Sequence, residues 1–249
     1  MGYTKLSKKH LIRHHLYKIK TSEYLRVLIL RTIGNFLILS SLFMIGKTFY
    51  LPLREEIRYF IEQKLGKKYT IKDVDKERKD EEISRSKGIL AKAINFKQTE
   101  VLVPIDPNFS IVIPKIAANA KILSNIDPTD ETMYLEALQK GVAHAQGTAF
   151  PGEGGHIFLF AHSTDYFWNV GIYNAVFYLL GKLEKGDEVN IFYKGQRYVY
   201  KVVDKKIIDP NQVEYLTRKS NKEFLTLQTC WPPGTTLKRL LVFVTRAVE

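Results

Sequence analysis

Residues Glu223–Val248 read EFLTLQTCWPPGTTLKRLLVFVTRAV. Two apolar runs, EFLTLQTC (Glu223–Cys230) and RLLVFVTRAV (Arg239–Val248), are rich in the β-branched and aromatic side chains that suit a pleated surface. Between them lies Trp231-Pro232-Pro233-Gly234, which cannot continue a strand. The spacing predicts a strand–loop–strand hairpin. Such a hairpin carries Arg239 back to the neighbourhood of Cys230, the one cysteine in the chain.

The same texture extends back to Val101. FSIVIP (Phe109–Pro114) reads as a strand ended by proline, and AKIL (Ala120–Leu123) as a second. HIFLFAH (His156–His162) is a continuous apolar run typical of a buried strand. EVNIFYKGQRYVYKVVDKKII (Glu188–Ile208) predicts a hairpin turning at Lys194-Gly195. Two helices are expected. One covers Thr129–Lys140 with Thr129 or Asp130 as cap, and the other lies near Tyr173–Leu183, before a turn at Gly186-Asp187. Many short strands at close spacing make the fold mainly β, a barrel or a sandwich.

The chain has 249 residues and a net charge of +12, unevenly spread. Residues 1–22 carry +6, residues 23–100 carry +5 and residues 101–249 only +1. A nucleic-acid binder would carry the excess on its folded domain. Here it flanks TIGNFLILSSLFMIGKTFY (Thr32–Tyr50), as suits a lipid bilayer with an anionic face. Lys47 can snorkel, and Phe49 and Tyr50 suit the interface. A cleavable signal peptide is the rival reading, but its basic region would be long and no small-residue cleavage site follows Tyr50. The other rival is a buried core helix.

The expected organisation is therefore a basic cytoplasmic tail (1–31), a transmembrane anchor (32–52), a charged extracytoplasmic linker (53–100) and a folded, mainly β domain (101–249). The basic flank puts the N-terminus in the cytoplasm and makes the protein single-pass in the cell membrane. Within the linker, KDVDKERKDEEISRSK (Lys72–Lys87) is nearly devoid of apolar residues and reads as a solvated helix or stalk.

A single cysteine rules out an internal disulfide and a multi-cysteine metal site. It is either an inert apolar filler or a reactive thiol. Thiol catalysis needs a histidine to move protons and a donor for the oxyanion. Cys230 and His162 each end an apolar run, and Arg239 opens the strand after Cys230. His144 and His156 are rivals to His162, since a histidine on an apolar strand is commonly a satisfied core residue. Arg246 lies too far along its strand to share the rim, and Arg218 sits in a polar loop without fixed register to the cysteine. Lys238, next to Arg239, points to the opposite face of the strand.

TLQTC (Thr226–Cys230) resembles the signature around the nucleophile of the sortase family. FAHS (Phe160–Ser163) is similar to the strand end that supplies that family's histidine, with Ala161 where many members have glycine. KRLLVFV (Lys238–Val244) resembles its arginine-led final strand. IVIPKI (Ile111–Ile116), GVAHAQGTAFPGEGGH (Gly141–His156) and LEKGDEV (Leu183–Val189) follow the family in the same order.

The resemblance implies a closed eight-stranded β-barrel with a few short helices behind an N-terminal transmembrane helix. It implies a cysteine transpeptidase with Cys230 as nucleophile, His162 as proton carrier and Arg239 at the oxyanion. Thr229 would contact substrate, and Val and Leu residues of Tyr215–Leu227 would line the groove. The substrate implied is a surface protein with an LPxTG-like sorting signal, cut between Thr and Gly. The acceptor is an amine, from a peptidoglycan stem or cross-bridge or from a pilin lysine. No cofactor is required for the chemistry. Some members bind calcium, which is left open here because no carboxylate cluster stands out. A hydrolase of the same fold, with water replacing the amine, and a non-catalytic membrane-tethered binding module are the alternatives.

Overall fold

A computed structural model describes residues 21–71, 99–163 and 176–247. The basic tail up to residue 20 and the acidic–basic run Lys72–Lys87 lie outside the described residues.

The first helix, α1, runs Thr21–Lys64 with Pro52 inside it. Its segment Glu23–Lys47 has a mean hydropathy of 1.9 and is long and apolar enough to cross a membrane. Two hydroxyls within it are satisfied by the helix itself, Thr32 Oγ1 donating to the Leu28 carbonyl and Ser41 Oγ to that of Ile38.

The chain divides at Phe49/Tyr50 into two compact units. In the second, the end of α1 packs on the domain: Tyr59 lies against its core and Glu56 pairs with Lys182 at 3.0 Å. Two short parallel strands follow, β1 (Lys68–Ile71) and β2 (Thr99–Leu102), with β1 against the turn Pro114–Ile116. Residues 53–71, expected as charged linker, are thus helix and strand built onto the folded unit. Their packing depends on a partner surface that the local composition does not reveal.

Eight strands close a barrel. They are β3 (Phe109–Ile113), β4 (Ala118–Ile126), β5 (Val142–Ala145), β6 (His156–Phe160), β7 (Glu188–Tyr193), β8 (Gln196–Ile208), β9 (Phe224–Trp231) and β10 (Lys238–Arg246). The order around the barrel is β10-β8-β7-β3-β4-β5-β6-β9, and β9 pairs with β10. The β4–β5 and β6–β9 pairs are parallel, and the rest are antiparallel. Closure leaves the barrel no open edge.

Alternation along each strand sorts side chains to two faces. Ile111, Ile157, Leu159, Leu225, Leu227 and Val242 fill the interior and are fully buried. Each such side chain is worth about 1.5–3 kcal/mol of burial.

The β7–β8 hairpin turns at Lys194 (φ 49°) and Gly195 (φ 78°), the two left-handed positions of a tight hairpin turn. Helix α2 (Glu131–Lys140) begins at Asp130, whose carboxylate accepts from the Met133 N–H at 3.0 Å. The second expected helix is corrected. Of Tyr173–Leu183, the described part, 176–183, is turn and a 3-10 helix at Leu180–Lys182. Gly181 there has the Trp231 indole across it. A Cβ at 181 would come within 2.8 Å of that ring, so a side chain there would have to displace the indole.

Candidate active site

β9 and β10 are antiparallel neighbours, with Cys230 directly opposite Arg239. Directly opposed residues send their side chains to the same face with Cα atoms roughly 4.5–5.5 Å apart. That face is the outside of the barrel, because Leu225 and Leu227 on β9, and Leu240 and Val242 on β10, point inward. β6 runs parallel to β9 on the other side, Phe160 paired with Gln228. The ladder continues one residue past β6, the Ala161 N–H donating to the Gln228 carbonyl at 3.1 Å. Ala161 is in the interior core, so His162 follows on the outward face, next in line to Cys230. Three side chains from three adjacent strand ends are thereby gathered at one rim.

Partial burial is common to all three. Cys230, His162 and Arg239 are all half-buried. Burial holds the His162 imidazole below its usual pKa, favouring the neutral ring that can accept a proton. The Arg239 guanidinium is steadied from its own loop, Nη1 donating to the carbonyls of Thr236 and Lys238, each at 3.1 Å. Both contacts use one nitrogen of a five-donor fork.

Thr229, expected to contact substrate, lies on the inward face and is buried. Its Oγ1 donates to the Ala161 carbonyl at 2.9 Å, tying β9 to the residue before His162.

The rival histidines are core residues. His144 is fully buried, stacked on Phe150 at 4.4 Å, with Nδ1 accepting from the Asn125 N–H. His156 stacks on Phe224 at 4.2 Å and its Nε2 lies 2.9 Å from Thr226 Oγ1. Burial pushes the His156 pKa down to about 4. Arg246 belongs to the far end of the barrel. There Glu223 accepts from Arg246 at 3.3 Å, from the Tyr200 hydroxyl at 2.7 Å and from two backbone N–H groups of the Gly152–Gly154 turn.

The expected groove lining is half corrected. Leu225 and Leu227 fill the barrel interior and cannot face a ligand. Leu216 does pack on the outer face, beside Tyr215, which was not among the expected residues, and with Phe158, Phe160, Ile208, Leu241 and Phe243. This second apolar cluster adjoins the Cys230 rim. Its sequence signal was the unbroken apolar text of HIFLF and LLVFV, which buries both faces of β6 and β10.

Among the described residues, no group of three or more His, Cys, Asp or Glu is placed to hold a metal ion.

A closed mixed barrel carrying a thiol, an imidazole and a guanidinium on adjacent strand ends defines a β-barrel protein with the groups of cysteine acyl-transfer chemistry. The family model of the sortase domain matches residues 111–247, more than half of the chain, and the protein belongs to the sortase family. Members of that family are cysteine transpeptidases. The chain is 32% identical to sortase D of Bacillus subtilis (strain 168) over 134 residues, 53% of this chain and 59% of that protein. It is similar to the solved structure of sortase C1 of GBS Pilus Island 1, at 30% identity and a TM-score of 0.48, over 57% of this chain and 64% of that one. Sortase C-1 of Actinomyces oris is similar at 33% identity and a TM-score of 0.47, over 58% of this chain and 76% of that one. The chain thus spans less than two thirds of the length of the first two.

Proposed function

We propose that the protein is a membrane-anchored cysteine transpeptidase that joins surface proteins bearing an LPxTG-like sorting signal to an amine acceptor. The observation that carries this reading is the direct register of Cys230 with Arg239, beside the strand end that leads into His162.

The proton inventory closes on these groups. Cys230 Sγ attacks the Thr–Gly carbonyl as its proton passes to neutral His162. Arg239 donates to the oxygen that gains negative charge. His162 then gives that proton to the departing glycine nitrogen, leaving a thioester on Cys230. In the second half, an incoming amine loses a proton to His162 as it attacks the thioester carbonyl. The sulfur leaves and takes the proton back.

The acceptor is a peptidoglycan amine or a pilin lysine. The basic flank of the apolar helix supports an anchor at 32–52, a cytoplasmic tail at 1–31 and residues 53–249 outside the membrane.

The test is a sorting-signal peptide incubated with the full chain, with and without an amine such as triglycine. Cleavage that depends on Cys230, with the amine joined to the new C-terminus, is the expected result. Product that remains the free acid at saturating amine would make the protein a hydrolase, and turnover by Cys230→Ala would remove the mechanism. For topology, protease added to intact cells should release a fragment containing Cys230. Protection of that fragment would reverse the orientation.

A further inference from the structure

The connection between β8 and β9 (209–223) lays Tyr215 and Leu216 on the outer apolar cluster. Two cations attend the Tyr215 ring. The Arg218 guanidinium carbon lies 4.3 Å from its centroid and 5.4 Å from that of Phe243. Lys206 Nζ donates to the Tyr215 hydroxyl at 2.6 Å and sits 5.2 Å from the centroid, at the edge of the phenol rather than over its face.

Both cations are exposed. Neither has a carboxylate within ion-pair range among the described residues. Residues 205–222 hold five basic side chains and two acidic ones, in a domain whose charge is otherwise almost balanced. One of the two acids, Asp209, is taken up by Lys238 at 2.6 Å. The wall beside the apolar floor is therefore cationic with unpaired donors. A phenol that accepts from an ammonium also keeps its own proton to donate.

Distance ties this wall to the reaction. Phe243 lies four residues along β10 from Arg239, about 14 Å at ~3.4 Å per residue. Leu241 is fully buried beneath the 209–223 connection, so an extended peptide with its attacked carbonyl at Cys230 runs along the outer edge of that connection and covers the span to Phe243 in about four to five residues. The half-buried side chains of Phe160, Leu216 and Phe243 offer apolar contact to the apolar half of the sorting motif, which precedes the cleaved bond.

We propose that Arg218, Lys206 and Tyr215 form a carboxylate-recognition subsite that selects sorting signals with an Asp or Glu about four to five residues upstream of the attacked carbonyl. This rests on the transpeptidase reading for the position of the peptide, but it concerns binding and is tested without turnover. The full-length Cys230→Ala chain in detergent micelles is titrated against labelled LPxTG-type peptides that carry Glu, Gln or Lys just upstream of the motif, read by fluorescence anisotropy. The Glu peptide should bind roughly fivefold more tightly than the Gln peptide and the Lys peptide more weakly still, as expected for exposed charge pairs. Arg218→Ala should remove most of that gap, 0.5 M salt should shrink it, and Lys140→Ala should leave it intact.

Equal affinity for Glu and Gln peptides, a gap that survives Arg218→Ala, or no binding of any peptide overturns the subsite. Cleavage by the wild-type chain is measured separately. A Glu preference in binding without cleavage of any peptide would sink the proposed function and leave the subsite standing.

Discussion

Arg239 and Arg246 stand on one strand with opposite duties. Arg239 faces Cys230 across the β9–β10 pair, while Arg246 is committed to Glu223 at the other end of the barrel. The planar fork of arginine keeps free N–H groups for a developing oxyanion after two backbone carbonyls have fixed it, whereas a lysine ammonium cannot hold the same position with the same direction. Loss of one such donor typically costs ~10²–10³ in turnover. Arg239→Lys should fall by that order in a peptide transpeptidation assay, with Arg246→Lys near wild type. Near-normal turnover of Arg239→Lys would remove the arginine from the site.

At the scale of the element, the site depends on two strands that are remote in sequence and parallel in space. β6 and β9 are tied at their site-bearing ends by one side-chain bond, from Thr229 to the Ala161 carbonyl. Thr229→Val keeps the shape and leaves that buried carbonyl short of a donor, at a cost of ~1–3 kcal/mol. The denaturant midpoint should drop accordingly. Turnover should drop too, because His162 and Cys230 follow directly on the tied residues. A variant with unchanged midpoint and unchanged turnover would show that the tie is idle. In the described part of Tyr173–Leu183, a turn and a 3-10 helix stand in place of the expected helix, with the Trp231 ring close over Gly181.

Among the described residues of the whole molecule, burial lowers the pKa values of His144, His156 and His162. The unfolded chain binds protons at these sites below about pH 6.5 that the folded chain refuses, so stability rises with pH across this window. The contribution is complete above the unfolded value and is lost as pH falls towards the folded values. For His156, at about 4, the span is worth roughly 3 kcal/mol. Unfolding free energy measured in detergent should therefore decline from pH 7 to pH 5. His156→Phe, which keeps a ring against Phe224, should flatten that decline by about one proton. An unchanged slope in the variant would place the acid sensitivity elsewhere.

Much of this architecture is carried by local pattern. The left-handed turn at Lys194-Gly195, the Asp130 cap, the proline after β3 and the apolar runs of β6, β9 and β10 are all set within a few residues, because turn chemistry, capping and side-chain alternation are short-range effects. The hairpin that opposes Arg239 to Cys230 belongs with them, since its two strands are joined by one short loop. Other features were decided only by the closed barrel. The parallel pairing of β6 with β9 brings His162 to a cysteine 68 residues away, and nothing in either strand names the other as its partner. β5 is four residues long and gains its place between β4 and β6 only when the barrel closes. The division of apolar residues between the interior and the outer cluster also waited for tertiary structure. A strand that is apolar on both faces gives no periodicity from which to tell inside from outside, and only the wall formed by residues 209–223 settles which face it covers.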